Sequence, residues 1–132
     1  ENVVVIDWAK TALSNMKNRV PSFPKDNLIV DNFFDHNSTY DLIIEQTFFC
    51  AINTDLRNEY VKKMHSLLKP KGKLTGLLFN IPLYEIHPPF GGSKKEYLGL
   101  FDPLFEIKTM DIAYNSIEPR KGSELFIILE KK

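Results

Sequence analysis

The sequence predicts an α/β fold, a doubly wound and mostly parallel sheet covered by helices. Two observations predict it. Short apolar segments rich in Val, Ile and Leu alternate along the chain with segments of helical period, which is the pattern of β-α units. The early apolar segments also lack polar alternation, as expected for strands buried on both faces of a parallel sheet. The chain has 132 residues, which fits a single domain over residues 1–132.

The first part of the chain contains three predicted strands and one predicted helix. The apolar runs that predict the strands lie at residues 2–6, 27–30 and 40–44. The helix follows the first strand, because apolar residues recur at helical spacing from Ala9 to Val20, and Pro21 then ends the pattern.

A second helix follows the third strand. Asn53 or Thr54 is suited to cap its start. Its apolar stripe consists of Leu56, Tyr60, Met64, Leu67 and Leu68. A proline and a glycine within residues 69–73 end this helix, and the apolar run 73–79 predicts a fourth strand.

The last part of the chain supplies one helix and two strands. Ser93 and Glu96 form a capping box for a short third helix. Residues 105–114 alternate in polarity and predict a fifth strand, with a bulge near Thr109 and Met110. Residues 124–130 predict a sixth strand, which we expect to pair antiparallel with the fifth at one edge of the sheet. The predicted order is β-α-β-β-α-β-α-β-β.

Charge and composition narrow the classes of function. Lys and Arg number 17, as do Asp and Glu, so the net charge is zero, which argues against a nucleic-acid-binding surface. Cys50 is the only cysteine, which excludes an intrachain disulfide and a thiolate metal site. No apolar run approaches the roughly 20 residues that cross a bilayer. We therefore expect a soluble, cytoplasmic protein without membrane or nucleic-acid partners.

Polar residues at the carboxyl ends of the predicted strands are the candidate site residues, because ligands of open α/β sheets bind there. Asp7 follows the first strand and could accept hydrogen bonds from both hydroxyls of a nucleotide ribose. Trp8 beside it offers a flat face for a purine. The alternative is that Asp7 only caps the helix that follows.

Two further strand ends carry polar side chains. After the second strand, Asp31 could accept from the exocyclic amine of adenine while the backbone amide of Asn32 donates to a ring nitrogen. The alternative is an Asx-turn over buried phenylalanines. The third strand ends at Glu45, Gln46 and Thr47, which we expect at the same edge of the sheet.

A glycine-rich turn is the part of a nucleotide-binding fold that the sequence lacks. Such a turn normally precedes the ribose-binding acid by about 20 residues, but the chain starts six residues before Asp7. We therefore expect that the first β-α unit of the fold is absent from this chain.

Several segments resemble the thiopurine and thiol/halide methyltransferase group of S-adenosylmethionine-dependent enzymes. These segments are VIDWAKTAL, YDLIIEQTFFCAINTD, PPFGGSKKEY and NSIEPRKGSELF. TFFCA and SIEPRKG are specific to the group, whereas LLKPKGKL is shared by many methyltransferases. The resemblance implies a Rossmann-like class I methyltransferase sandwich with an antiparallel C-terminal strand. It also implies methyl transfer from S-adenosylmethionine to a small soft nucleophile, which is a thiol, thiopurine, thiocyanate or halide.

The resemblance also assigns cofactor-binding residues. It places Asp7 on the ribose hydroxyls, Trp8 against the adenine, and Asp31 with Asn32 at the adenine edge. Gln46 stands where relatives often carry a tyrosine or an arginine, beside the methionine half of the cofactor.

The acceptor pocket is expected at the loop 87–92, which includes Phe90, and at the turn that carries Arg120. Arg120 could hold an anionic acceptor or a substrate carboxylate. Alternatively, it forms a surface ion pair with Glu118 or Glu124, which would contribute little to stability.

No residue is assigned to acid–base catalysis, because methyl transfer from a sulfonium mainly requires an aligned acceptor and the exclusion of water. Cys50 could be read as a nucleophile. Apolar surroundings raise a thiol's pKa and make it unreactive, so we expect Phe48, Phe49 and Cys50 to pack the core.

Two other functions fit parts of the sequence. A non-catalytic module could keep the fold without the glycine turn. A nicotinamide-dependent oxidoreductase would also place an acid after a strand, although TFFCA, SIEPRKG and the antiparallel end of the chain favour the methyltransferase.

Overall fold

The computed structural model describes residues 2–132 and forms two compact units, the first ending at Asn37 and the second spanning Ser38–Lys132. Strands and helices follow in the predicted order β-α-β-β-α-β-α-β-β. Among the described helices, none is long and apolar enough to cross a membrane.

The first unit is a β-α-β arrangement. Its elements are β1 (Val5–Asp7), α1 (Lys10–Arg19) and β2 (Leu28–Val30). The two strands pair in parallel, with Asp7 opposite Val30. The prediction of a strand over 2–6 buried on both faces was wrong: β1 starts at Val5, where its pairing with β2 begins, and Val3 is 51% exposed.

The second unit contains a four-stranded sheet of order β3-β4-β6-β5. Its elements are β3 (Tyr40–Gln46), α2 (Arg57–Leu67), β4 (Leu68–Phe79), α3 (Lys94–Phe101), β5 (Phe105–Ile112) and β6 (Glu124–Lys131). β3 and β4 are parallel, whereas β6 is antiparallel to both β4 and β5. The predicted antiparallel pairing of the last two strands is confirmed, with β6 inserted between β4 and β5.

Local signals mark several boundaries of the second unit as predicted. The Asn53 side chain accepts from the Asp55 amide at 3.0 Å, just before α2, and the Ser93 hydroxyl accepts from the Glu96 amide at 3.3 Å at the start of α3. The register of β5 against β6 shifts between Ile107 and Thr109, where a bulge was expected. β4 is longer than the predicted 73–79, because Leu68 already pairs with Tyr40 of β3.

The core of the second unit is a cluster of aromatic rings between α2, α3 and the sheet. Its members are Phe49, Tyr60, Tyr97, Phe101 and Phe105. Each ring is at most 2% exposed, and burying a large apolar side chain stabilises a fold by about 1.5–3 kcal/mol. The predicted stripe of α2 is confirmed at Tyr60, Met64 and Leu67. Leu56 precedes the helix and is 41% exposed, and Leu68 is buried but is the first residue of β4.

β3 is less buried than its apolar sequence predicted. Leu42 is 52% exposed and Ile44 is 74% exposed. Within the second unit β3 is an edge strand. α2 covers the face of β3 on which Glu45 lies, since Tyr60 of α2 bonds to Glu45. Alternation along the strand places Leu42 and Ile44 on the face that α2 does not cover.

Candidate functional site

The carboxyl ends of β1 and β2 bring two acidic residues to one edge of the first unit. Asp7 is the last residue of β1, and Asp31 directly follows β2. The Asp31 amide donates to the Asp7 carbonyl at 3.3 Å, which extends the parallel pairing by one residue. The side-by-side placement predicted for these two strand ends is therefore present.

One carboxylate oxygen of each acid is used locally. Oδ1 of Asp7 accepts from the Ala9 amide at 2.7 Å, and Oδ1 of Asp31 accepts from the Asn32 amide at 2.8 Å. The Asn32 side chain in turn accepts from the Phe34 amide at 3.1 Å. The Asx-turn expected after β2 is formed by Asn32, whereas the helix cap expected of Asp7 is not formed, since Ala9 is the N-cap of α1 and no side chain caps that helix. The second oxygen of each acid has no protein partner among residues 2–132.

This edge of the first unit suits a nucleoside. Two neighbouring acidic side chains, each with an open acceptor, match hydroxyls and exocyclic amines, which are hydrogen-bond donors. Trp8, which directly follows Asp7, is 84% exposed and offers an aromatic face to a ligand. The residues present therefore fit the adenosine part of S-adenosylmethionine.

The second unit contributes a tight turn after β3. Glu45 is 2% exposed, and its Oε1 accepts from the backbone amides of Phe48 at 2.9 Å and Phe49 at 3.1 Å. Its Oε2 lies 2.6 Å from the Tyr60 hydroxyl of α2. Thr47 within this turn has a φ of 61°, a left-handed conformation that costs free energy for a residue other than glycine. The Glu45 side chain holds the turn in this conformation.

Burial raises the pKa of both Glu45 and Tyr60. Desolvation raises the pKa of Glu45 above its ordinary value, although its hydrogen bonds to Tyr60, Phe49 and Phe48 act in the opposite direction. Desolvation, followed by the nearby Glu45 carboxyl group, raises the pKa of Tyr60 well above its ordinary value. The pair supports the turn from inside the core, since Tyr60 is fully buried.

An open pocket of about 310 Å³ lies over this turn. Its lining residues are Thr47, Cys50, Ala51, Phe79, Pro88, Pro89 and Arg120. The walls are mostly apolar and carry one cationic side chain. Gln46 faces a narrow crevice next to this pocket, which shares the walls at Thr47, Cys50 and Phe79.

Arg120 lines the pocket and forms an ion pair with Glu124, one of the two partners named for it in the sequence. Its guanidinium lies 3.3 Å from Oε1 of Glu124 and over the Phe79 ring, 5.3 Å from the ring centroid. Glu124 is 4% exposed and also accepts from the Ser116 hydroxyl at 2.7 Å, so the ion pair is not a surface pair. Glu124 thereby holds Arg120 in the pocket wall.

Phe90 and Cys50 form the base of the same region. Phe90 is 7% exposed, and its amide donates to the Cys50 carbonyl at 2.7 Å. The loop predicted to line the pocket does so through Pro88 and Pro89, while the Phe90 side chain is buried.

The Cys50 thiol is adapted to packing. Cys50 is 8% exposed, and burial, followed by the charge of Glu45, raises the pKa of its thiol. Phe49 is buried as expected, but Phe48 is 37% exposed, although its ring lies 6.1 Å from that of the buried Tyr60. Among the described residues, no group of three His, Cys, Asp or Glu side chains could hold a metal ion.

Sequence reasoning missed the structural roles of three buried residues of the second unit. Tyr60 was expected only in the apolar stripe of α2, Glu124 only as a possible surface partner of Arg120, and Arg57 was not singled out. Glu45 was placed at the strand end, but its anchoring of the turn was not expected. For Arg57 the sequence offers one signal, which is a charged residue within the apolar stripe of a helix. Such a residue indicates a buried ion pair, because a charge is buried only where other groups pair with it.

Comparisons with known proteins agree with this arrangement. The family model described as thiopurine S-methyltransferase (TPMT) matches residues 7–130. The chain is 33% identical over 129 residues to a protein named probable thiol methyltransferase 2 from Arabidopsis thaliana, covering 93% of this chain and 57% of that protein. It is also 33% identical over 129 residues to thiocyanate methyltransferase 1 of Brassica oleracea, with 92% and 57% covered. The chain thus spans somewhat more than half the length of these relatives.

Solved structures share the fold at low sequence identity. The N-methyltransferase NodS from Bradyrhizobium japonicum matches with a TM-score of 0.74 at 11% identity, covering 97% of this chain and 72% of that one. The 1,6-didemethyltoxoflavin-N1-methyltransferase of Burkholderia thailandensis, solved with S-adenosylhomocysteine, matches with a TM-score of 0.75 at 15% identity, covering 100% and 62%. The predicted Rossmann-like methyltransferase fold is confirmed, with its strands divided between the two sheets.

Proposed function

The chain belongs to the thiopurine S-methyltransferase family, and from this we propose that the protein is an S-adenosylmethionine-dependent methyltransferase. Its acceptor would be a small soft nucleophile of the thiol, thiopurine, thiocyanate or halide class, as the names of the relatives suggest. The observation that carries the proposal is the pair Asp7 and Asp31 at neighbouring strand ends, each with an open carboxylate oxygen, together with the exposed Trp8 that follows Asp7.

The cofactor residues that we propose are those of the strand ends. Asp7 would bind the ribose hydroxyls, and Trp8 would pack on the adenine. Asp31 would accept from the adenine amine through its second oxygen, and the Asn32 amide would exchange its bond to Oδ1 of Asp31 for one to an adenine ring nitrogen. Gln46 would lie beside the methionine half. The bound cofactor supplies an electrophilic methyl group on a sulfonium sulfur.

The pocket of the second unit supports the class of acceptor. Apolar walls made by Phe79, Pro88 and Pro89 would remove part of the water around a soft nucleophile, and partial desolvation increases the reactivity of such an anion. Arg120 would supply the positive charge that an anionic acceptor needs. Alignment of the acceptor is the main requirement of in-line attack, so no general base is required of an acceptor that is already anionic.

Binding of S-adenosylhomocysteine to the full-length protein, measured by calorimetry, tests the cofactor site. Asp7→Asn should weaken binding about tenfold to a hundredfold, since a hydrogen bond to a charged group is worth about 1.5–3 kcal/mol. Asp26→Asn is the matched control, because Asp26 is an acid of the same unit that precedes β2 instead of following it. Equal affinities for the two variants, or no binding by the wild-type protein, would contradict the proposal.

Steady-state kinetics with thiocyanate or iodide test the acceptor pocket. Arg120→Gln should raise the KM for these anions about tenfold, because it removes a charge-assisted contact worth about 1.5 kcal/mol or more. Lys121→Gln is the control, because Lys121 is the neighbouring cation and pairs with the exposed Glu118 instead. An unchanged KM in Arg120→Gln would remove Arg120 from the acceptor site.

A further inference from the structure

Arg57 is a charged residue inside the aromatic core. It is the first residue of α2 and is 4% exposed. Its guanidinium lies over the Phe49 ring, 4.7 Å from the ring centroid, and 5.8 Å from that of Tyr97. Burying a guanidinium is costly unless its donors are bound, so its partners indicate why the fold keeps it.

The two ends of the guanidinium bind two different elements. Nη1 pairs with the Glu96 carboxylate in the first turn of α3. Nη2 donates to the backbone carbonyl of Gly91 at 2.7 Å. Nε has no hydrogen-bond partner among the described atoms. Arg57 therefore connects α2 to α3 and to the loop that precedes α3.

The loop that Arg57 holds is closed at its base by short contacts. Asn80 accepts from the Lys94 amide at 2.8 Å, and the Gly92 amide donates to the Ile81 carbonyl at 3.1 Å. A Cβ at Gly91 would lie 2.2 Å from the Ile81 carbonyl oxygen, so only glycine permits this approach. Gly91 therefore contacts both Ile81, in the first half of the loop, and Arg57.

The tip of this loop forms one wall of the pocket. Pro88 and Pro89 line the pocket three and two residues before Gly91. Between them and Gly91, the Phe90 amide donates to the Cys50 carbonyl of the turn after β3. The position of the proline wall therefore depends on the Phe90 contact and on the Arg57 contact at Gly91.

We propose that Arg57 is a positioning residue for the acceptor pocket: by binding the Gly91 carbonyl from the core side, it fixes the wall formed by Pro88 and Pro89 without touching the acceptor. This role rests on the proposed methyltransferase function, in that the pocket is the acceptor site. Arg57 itself does not line the pocket. Its effect on the reaction passes through the loop backbone.

Arg57→Lys in the full-length protein tests this role. Lysine keeps the charge, but its single ammonium cannot bind Glu96 and Gly91 with the planar fork of arginine. Amide hydrogen exchange at Phe90 and Gly92 should become about tenfold faster, which corresponds to losing one hydrogen bond of ordinary strength. Exchange at Ile127 in β6 should stay unchanged, as should all these rates in Lys62→Gln, a substitution on the exposed face of the same helix.

Kinetics give the second measurement. A loosened proline wall should raise the KM for thiocyanate or iodide about tenfold or more, because misplaced walls lose alignment. The KM for S-adenosylmethionine should stay within about twofold, since the residues proposed for the adenosine belong to the first unit, whereas Arg57 and the proline wall belong to the second. Gly91→Ala displaces the loop directly and should produce the same split with Arg57 intact. If Arg57→Lys does not fold, Glu96→Gln tests the same contact, because it removes the charge that pairs with Nη1 of Arg57.

Two results would overturn the proposal. Unchanged exchange at Phe90 and Gly92 in Arg57→Lys would show that other contacts hold the loop. Equal acceleration at these amides and at Ile127 would show that Arg57 only stabilises the core. A wild-type protein that neither binds S-adenosylhomocysteine nor methylates these acceptors would overturn the proposed function, while the exchange rates would still decide whether Arg57 holds the loop.

Discussion

Replacing Glu45 by alanine removes the side chain that holds the turn after β3. The substitution deletes three hydrogen bonds that Glu45 accepts, from the amides of Phe48 and Phe49 and from the hydroxyl of Tyr60. Phe49 and Tyr60 are buried, so their donors find no water in exchange, and each orphaned buried group costs about 1–3 kcal/mol. Phe48 is partly exposed and its amide can be hydrated.

The expected loss follows from these contributions. Two buried donors that lose their Glu45 acceptor, together with a lost hold on the left-handed Thr47, amount to about 3–5 kcal/mol, at the upper end of what single substitutions do. Glu45→Gln keeps an oxygen for the two amides and should cost about 1 kcal/mol, since only the contact with Tyr60 has to rearrange. Tyr60→Phe should also cost about 1 kcal/mol.

Urea denaturation at neutral pH, followed by circular dichroism, measures these free energies of unfolding. Glu59→Gln is the control, because Glu59 lies on the exposed face of α2 in an exposed pair with Lys62, and such pairs contribute about 0–1 kcal/mol. The reasoning is refuted if Glu45→Ala is no more destabilising than Tyr60→Phe, or if Glu45→Gln is as harmful as Glu45→Ala.

The free energy of unfolding should also depend on pH, in a direction that the pKa of Glu45 decides. The pKa of Glu45 is raised in the folded state, so the folded protein holds this proton more tightly than the unfolded chain. The resulting stability is complete below the unfolded pKa and is lost as pH rises through the higher folded pKa. Glu45→Gln cannot titrate. The difference in free energy of unfolding, wild type minus Glu45→Gln, should therefore fall as pH rises from about 4.5, the unfolded value.

Three other outcomes are expected. Gly76→Ala should lower the free energy of unfolding by about 3 kcal/mol or more, because the new Cβ would lie 2.0 Å from the Glu45 carbonyl oxygen across the β3–β4 pairing. Gly99→Ala is the control in the same denaturation assay and should be neutral or stabilising, because nothing lies within 4 Å of its Cβ position. Cys50 should react with Ellman's reagent at pH 8 more slowly in the native protein than in urea, because burial and the nearby Glu45 raise the pKa of its thiol; equal rates would contradict this. The pKa of His65, measured by NMR, should lie below its ordinary value, because partial burial, followed by the charge of Lys131, lowers it. The stability that depends on neutral His65 is present above the unfolded pKa and is lost as pH falls through the folded pKa.

The amino-acid sequence alone determined the order of the elements and several of their boundaries. Strand and helix periods depend on neighbours within a few residues, and the capping box at Ser93 and the cap at Asn53 are likewise local. The position of the acids after β1 and β2 followed from the same local reading, because a parallel sheet aligns its strand ends. The segments around TFFCA and SIEPRKG were sufficient for the family.

Only the tertiary structure decided which charges are buried and what they hold. Arg57 and Leu56 are neighbours, and the helical period predicted the leucine inward, but the structure buries the arginine. The reason is that Arg57 gains partners from residues 34 and 39 positions away, at Gly91 and Glu96. Such partners offset the desolvation of a charge. A local pattern does not contain them, because they meet only when the loop and α3 fold back onto α2.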